Sequence, residues 1–215
     1  MALDRGLAVV LALLLTACAA PVREPSPAEL TGTVLEYLQV EGGRETGRWR
    51  IFVTPRWVRV DRGTSAGPYW LLDRRRGRWV AVSELGARRR VPSPAVPPPF
   101  PWETRHEPSR AVGFVPTGAT ARHVRFETAG RGCLDAVVLP QVPDGVLSGA
   151  QAAWLVLEDR RPRWSGTPAC REALGADPLS GWREGLPLRL WDAEGNGWFL
   201  VDHRSGVRLP SLIFQ

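Results

Sequence analysis

Few side chains in this 215-residue sequence have the types and spacing that catalysis or metal binding requires. The three histidines, His106, His123 and His203, are far apart along the chain and form no His-x-x-x-His pair. All 28 basic residues are arginine, which excludes lysine nucleophiles and the lysine of a phosphate-binding loop. We therefore predict no catalytic residue, no metal ligand and no cofactor.

One pair of carboxylates is a candidate for acid–base chemistry. Asp61 and Asp73 end consecutive predicted strands and could meet at one rim of a sheet, within reach of a common substrate. The alternative is that they cap turns or pair with the neighbouring Arg59 and Arg74. An enzyme is for this reason the least favoured of the functional hypotheses.

Cys18 carries the clearest chemical signal in the sequence. It follows Leu7–Leu15, an uninterrupted apolar run that is too short to cross a bilayer of about 30 Å and is typical of a secretory signal. The sequence Leu15-Thr16-Ala17-Cys18 resembles the bacterial lipobox. The resemblance implies that diacylglycerol is attached to the Cys18 thiol, that the chain is cleaved before Cys18, and that the new amine is acylated. Two or more acyl chains give stable anchoring in a membrane.

The lipobox divides the chain into three parts. We interpret residues 1–17 as a lipoprotein signal peptide, residues 18–29 as a Pro-containing extended tether, and residues 30–215 as a single periplasmic domain. Residue 19 is alanine and not aspartate, which resembles lipoproteins sorted to the outer membrane. The expected location is the inner leaflet of the outer membrane, with the domain facing the periplasm and the lipid on Cys18 as the membrane contact.

The two other cysteines, Cys133 and Cys170, would then lie in an oxidising compartment. A disulfide between them would close a loop of about 38 residues and stabilise the fold by roughly 4 kcal/mol in the chain-entropy model. Two buried free thiols and a metal-binding pair are the alternatives. We favour the disulfide because a metal site needs more ligands than the neighbouring sequence offers.

The formal charge of +6 and the sequence pI of about 10.4 would ordinarily suggest a nucleic-acid or anionic-membrane partner. However, the chain has no lysine, and Asn196 is its only asparagine, a composition typical of a GC-rich genome. The arginine clusters also lie beside acidic residues. We therefore expect no nucleic-acid partner, while contact with a phosphate-bearing lipid surface stays open.

Short apolar segments separated by turn residues predict a sheet-rich fold. A Ser148-x-x-Gln151 capping box predicts a helix that extends to about Asp159, and Cys170–Leu174 could form a second. The predicted strands are Leu30–Val40, Arg48–Val53, Trp57–Asp61, Pro68–Asp73, Arg78–Ser83, Arg88–Val91, Val112–Val115, His123–Thr128, Leu134–Leu139, Pro187–Trp191, Gly197–Asp202 and Val207–Ile213. The expected class is mainly β or α+β, a curled antiparallel sheet resembling half a barrel, with one or two short helices.

Residues 92–101 interrupt this pattern with six prolines, which excludes a paired strand there. One interpretation is a rigid polyproline connection on the surface. The other is a projecting loop, because Val96, Phe100 and Trp102 are apolar. The sequence leaves both open.

Residues of about 30–92 show a regular rhythm of strands together with a few distinctive residues, chiefly Trp57, Arg59, Asp61, Gly63, Tyr69 and Asp73. In these features the segment resembles envelope proteins of the LolA/LolB type and related periplasmic lipoproteins. The resemblance implies a twisted antiparallel sheet that curls into a half-barrel, is covered by helices and holds an apolar cavity.

Ten tryptophans in one domain would fill a core or wall a cavity. If they wall a cavity, the candidate lining residues are Trp57, Tyr69, Trp70 and Trp79. The protein would then be a binding module for a lipid, an acyl group or a partner protein of the envelope. The alternative is a structural or assembly lipoprotein of the outer membrane that binds no small molecule.

Overall fold

The computed structural model describes residues 29–63, 67–107, 120–157 and 162–215. Within these ranges, eleven antiparallel strands form a single open sheet and three short helices pack against it. The strands are β1 Glu29–Glu41, β2 Arg44–Val53, β3 Trp57–Arg62, β4 Tyr69–Asp73, β5 Arg78–Val82, β6 Arg88–Val91, β7 Glu103–Glu107, β8 Arg122–Thr128, β9 Arg131–Leu139, β10 Leu186–Trp191 and β11 Gly197–Pro210. The helices are α1 Asp144–Val156, α2 Pro168–Ala176 and α3 Ser180–Arg183, and a 3-10 turn spans Ser211–Phe214.

The sheet consists of two meanders joined at the middle. The strand order is β6-β5-β4-β3-β2-β1-β11-β10-β9-β8-β7, so every neighbouring pair except β1–β11 is consecutive in sequence. β1 and β11 pair along their length, from Glu29 opposite Pro210 to Val40 opposite Gly197, with two register shifts. The predicted class, a curled and mainly antiparallel sheet with short helices, is confirmed.

The connection between β6 and β7 requires the sheet to curl. These strands form opposite edges of the sheet, and eleven strands about 4.8 Å apart would separate them by roughly 48 Å if the sheet were flat. The chain between Val91 and Glu103 is rich in proline, and a polyproline conformation of that length spans only about 37 Å. The Pro-rich segment can therefore reach only if the two edges approach each other.

The Pro-rich segment lies across the helices instead of projecting from the domain. The Phe100 amide donates a hydrogen bond to Asp177 (3.3 Å), and Arg183 donates one to the carbonyl of Pro97 (2.7 Å). The Trp102 ring meets Phe126 edge-on at 5.8 Å. Of the three apolar residues that suggested a projecting loop, Val96 alone is largely exposed.

Five aromatic side chains fill the space between the sheet and the helices, and we call them the tryptophan core: Tyr37, Trp49, Trp154, Trp182 and Trp198. Each is at most 1% exposed. The Trp154 ring meets Trp198 edge-on at 4.6 Å, and Tyr37 lies 5.3 Å from Trp198. Burial raises the pKa of the Tyr37 hydroxyl above its usual range, and this hydroxyl donates to the carbonyl of Pro187. The inner face is therefore solidly packed.

A second, smaller cluster lies on the outer face of the sheet. Val34, Leu71 and Leu209 are buried there together with Phe214, which belongs to the 3-10 turn that follows β11. The alternation of side chains along each strand separates this cluster from the inner face.

Two local predictions were wrong in their boundaries. The capping box at Ser148 does not begin a helix: α1 starts four residues earlier, at Asp144, and the Ser148 hydroxyl accepts a hydrogen bond from Arg74. The two predicted strands Gly197–Asp202 and Val207–Ile213 are one strand, β11, which ends at Pro210. Pairing with β1 carries β11 through the intervening polar residues.

The sequence pattern missed β7 and α3 altogether. β7 has the polar sequence Glu-Thr-Arg-His-Glu and lies at an edge of the sheet, paired with β8. Polar edge strands carry no alternation to detect. The predicted strand Val112–Val115 lies outside the described residues.

The predicted disulfide is present. Cys133 in β9 and Cys170 in α2 are bonded, with Cα atoms 5.2 Å apart. Thr167 caps α2, and its hydroxyl accepts a hydrogen bond from the Cys170 amide. The bond ties a helix to the sheet across 37 residues of sequence.

We expect Cys133→Ser, Cys170→Ser and the double variant to lose the same amount of stability, about 4 kcal/mol, because each breaks the same loop closure. Urea unfolding measures the loss. Reductant should destabilise the wild type to the same level and leave the double variant unchanged. Additive losses from the two single variants would contradict a bonded pair.

Candidate functional site

The four predicted lining residues are divided between the two faces of the sheet. Tyr69 and Trp70 are consecutive in β4 and therefore point to opposite sides. Trp79 belongs to the inner core and Trp70 packs against it, whereas Trp57 and Tyr69 pack against the outer cluster. The four side chains do not line one common cavity.

Cys18 lies outside the described residues, so its lipidation stays a prediction. Within the described part of the chain, no helix is long and apolar enough to cross a membrane. The same residues contain no group of three or more His, Cys, Asp or Glu side chains placed to hold a metal ion.

A cavity of about 430 Å³ lies where β1 begins and β2 ends. Its walls are residues 31–33 of β1, residues 53–55 at the end of β2, the first turn of α1, Arg74 and Gly206. Most of this lining is apolar or hydroxyl-bearing. The size falls in the range of small-molecule sites, which is about 300–1,000 Å³.

Among the described residues, Arg74 is the one charged side chain that lines this cavity, and two hydrogen bonds hold it in place. One terminal nitrogen donates to the carbonyl of Thr54 (3.0 Å) and the other to the hydroxyl of Ser148 (3.0 Å). The guanidinium thus bridges the end of β2 and the middle of α1. A fixed cation beside apolar walls suits a ligand with an apolar body and a polar or anionic end.

Two glycines shape the cavity in different ways. A Cβ at Gly32 would meet the carbonyl oxygen of Val53 at 2.6 Å, so glycine is required for the close approach of β1 to the end of β2. A Cβ at Gly145 would lie 3.7 Å from an Arg74 nitrogen, which is ordinary contact. A side chain at position 145 would therefore occupy the cavity without displacing the backbone.

The cavity is close to the start of the domain. Its lining begins at Thr31, and the described chain begins at Glu29. The thirteen residues from Cys18 to Thr31 can span at most about 45 Å. A lipid on Cys18 would therefore keep the cavity near the membrane surface.

Asp61 and Asp73 do not share a rim. β3 and β4 are antiparallel, with Asp61 opposite Tyr69 and Asp73 opposite Trp57. The two carboxylates lie at opposite ends of the hairpin, roughly 13 Å apart along the strands. Asp73 instead accepts hydrogen bonds from the amides of Arg75 and Arg76 and caps their turn.

Asp61 forms a buried ion pair on the outer face. Arg59 donates from Nε to one carboxylate oxygen of Asp61 (2.6 Å) and from a terminal nitrogen to the other (3.3 Å). Arg50 lies 3.6 Å away, and burial raises the pKa of Asp61 against the opposing effect of Arg59 and Arg50. Arg59 also stacks on Tyr69 and donates to the carbonyl of Ile213. The pair therefore fixes the 3-10 turn against the sheet.

We expect Arg59→Met to cost about 3–5 kcal/mol at neutral pH, because it leaves the Asp61 carboxylate buried with a weaker partner. The loss should shrink at pH 4. Removing Arg59 raises the pKa of Asp61 further, and protonation then relieves the buried charge as pH falls. Urea unfolding at the two pH values measures both effects.

Arg48→Met is the matched control for this substitution. Arg48 is half-exposed and pairs with Glu36 (2.7 Å). Its replacement should cost far less than that of Arg59, because an ion pair exposed to solvent contributes little to stability. Equal losses for the two variants, or a loss at Arg59 that does not change with pH, would contradict the role of the buried pair.

Comparison with known proteins identifies no family for this chain. No family model and no curated protein matches the sequence. Two solved structures of PNGF-II are similar, one in the C2 space group (TM-score 0.43, 9% identity) and one in P21 (TM-score 0.41, 6% identity). They match 87% and 86% of this chain, which spans 30% of each PNGF-II chain. These similarities are too low to bear on fold or function.

Proposed function

We propose that this protein is a lipid-anchored binding module of the bacterial envelope. In this proposal Cys18 holds it at the inner leaflet of the outer membrane, and the cavity at the start of β1 takes the acyl portion of a lipid or an acylated partner protein. The observation that carries the proposal is the cavity itself, about 430 Å³ in volume and bordered by residues 31–33, next to the expected tether.

The chemistry of the cavity supports this ligand class. Val53, Pro55 and Val146 give it apolar walls, and Arg74 gives it one cation. Apolar walls favour an acyl chain through the hydrophobic effect, by roughly 0.8 kcal/mol for each buried methylene. The cation would favour an anionic or ester end of the same molecule.

The similarity to LolA/LolB-type proteins led us to expect a ligand inside the curled sheet. The tryptophan core occupies that space, and its five aromatic residues are at most 1% exposed. We therefore place the proposed ligand beside the core, between the first turn of α1 and the end of β2.

The solid core also supports the alternative function, a structural or assembly lipoprotein without a small-molecule ligand. In that case the contact surfaces would be the exposed arginines of β6, Arg88–Arg90, and the Pro-rich segment across the helices. Crosslinking in intact cells would then capture an envelope partner through these surfaces.

Native mass spectrometry of the full chain, released from detergent micelles, tests the proposed function. We expect the wild type to carry a lipid on the folded body in addition to any modification of Cys18. Gly145→Leu should reduce this bound fraction at least tenfold, because the new side chain fills the cavity next to Arg74.

Gly175→Leu is the matched control. Gly175 is also an exposed helical glycine, and a Cβ there would meet nothing within 4 Å. It should retain the lipid. A wild type without lipid would overturn the binding function and favour assembly, whereas lipid retained by Gly145→Leu would show that the cavity is not the site.

A further inference from the structure

Four side chains form a continuous stack on the outer face of the sheet, which we call the outer stack: Phe199 of β11, Arg189 and Trp191 of β10, and His123 of β8. The Arg189 guanidinium carbon lies 4.9 Å from the centre of the Phe199 ring and 4.8 Å from that of Trp191. His123 stacks on Trp191, with ring centres 5.6 Å apart and planes inclined by 23°. The stack crosses the sheet from β11 to β8.

The outer stack is packed firmly against the sheet. Ala136 faces the helices, where its Cβ lies near Gly181 of α3, so the next residue, Val137, points outward. Val137 is nevertheless only 2% exposed. Its cross-strand partners are Arg189 on one side and His123 on the other, and they cover it.

The guanidinium of Arg189 keeps its hydrogen-bond donors unused. No salt bridge or hydrogen bond to its side chain occurs among the described residues, and its Nε is buried without a partner. Arg189 as a whole is half-buried, and its two terminal nitrogens are not among the buried atoms that lack a partner.

The neighbouring carboxylates are already engaged. Asp135 lies 2.7 Å from the His123 ring and 3.0 Å from Arg125, and Glu107 lies 3.4 Å and 3.3 Å from the same two residues. Arg125 is therefore compensated by two acids on the same face, whereas no acid among the described residues pairs with Arg189. The positive charge of Arg189 is available to a ligand.

We propose that the outer stack binds a phosphate group through the terminal nitrogens of Arg189. The two rings hold the guanidinium through its π contacts and leave the fork of N–H donors free, which matches two phosphate oxygens. A doubly charged phosphate gains more Coulomb energy from one uncompensated cation than a carboxylate does. This site is separate from the cavity beside α1 and does not depend on the proposed function.

The test follows the Trp191 indole N–H signal by NMR in the full chain, held in dodecyl maltoside micelles. Trp191→Phe assigns the signal. Inorganic phosphate is titrated against acetate at constant ionic strength. We expect a saturable shift with phosphate, at least fivefold larger than the shift with acetate.

Arg189→Gln should abolish the shift, and Arg204→Gln should retain it. Arg204 is the matched control because it carries the same charge on β11 but pairs with Asp202 at 2.8 Å. A shift that does not saturate, that persists in Arg189→Gln, or that acetate reproduces at equal size would overturn the proposal.

The source of the phosphate is distinguished by doping the micelles with phosphatidic acid or with diacylglycerol, which has the same apolar part but no phosphate. A shift with phosphatidic acid at lower concentration than with inorganic phosphate would identify a lipid headgroup. A shift with inorganic phosphate alone would identify a soluble phosphate. A shift of the Trp191 signal with diacylglycerol would show that the stack binds the apolar part of the lipid. That result would overturn the proposal.

Discussion

Antiparallel pairing of β1 with β11 holds the two halves of the sheet together. It joins the first and last described strands along their length and turns two separate meanders into one sheet. Without it, each meander would have an unpaired edge strand. Tyr37 of β1 and Trp198 of β11 would then no longer be held beside each other in the tryptophan core. Because this pairing joins strands at opposite ends of the described chain, it carries a large loop-closure entropy cost. Extensive burial of apolar surface must offset that cost.

The curl of the sheet then decides where a ligand can bind. The short Pro-rich segment holds the two edges together on the helical side, and the aromatic rings fill the space so enclosed. One cavity lies at the margin of this packing, where β1, β2 and α1 meet beside Arg74. The outer face offers a different kind of surface, on which arginines lie against aromatic rings and carboxylates.

The strands of this protein could largely be read from the sequence, and the candidate sites could not. Alternation of apolar residues located most strands within a few positions, because half-buried strands must alternate. We grouped four aromatic residues in one cavity wall because of their type: Trp57, Tyr69, Trp70 and Trp79. The face of the sheet on which each side chain lies depends instead on its position along the strand and on the strand register. Nothing in the sequence pointed to Arg189 as a binding residue, because its position between Phe199 and Trp191 depends on the pairing of β10 with β11.

The fold class and the bond between Cys133 and Cys170 could be predicted from the amino-acid sequence, because apolar alternation and the number of cysteines are visible without any tertiary contact. The sequence also supports the prediction of a lipid on Cys18. Only the folded chain shows that Asp61 and Asp73 are apart, that four of the ten tryptophans form a solid core with Tyr37, and that a cavity lies beside Arg74. These features arise from contacts between residues far apart in the chain, which no short stretch of sequence encodes.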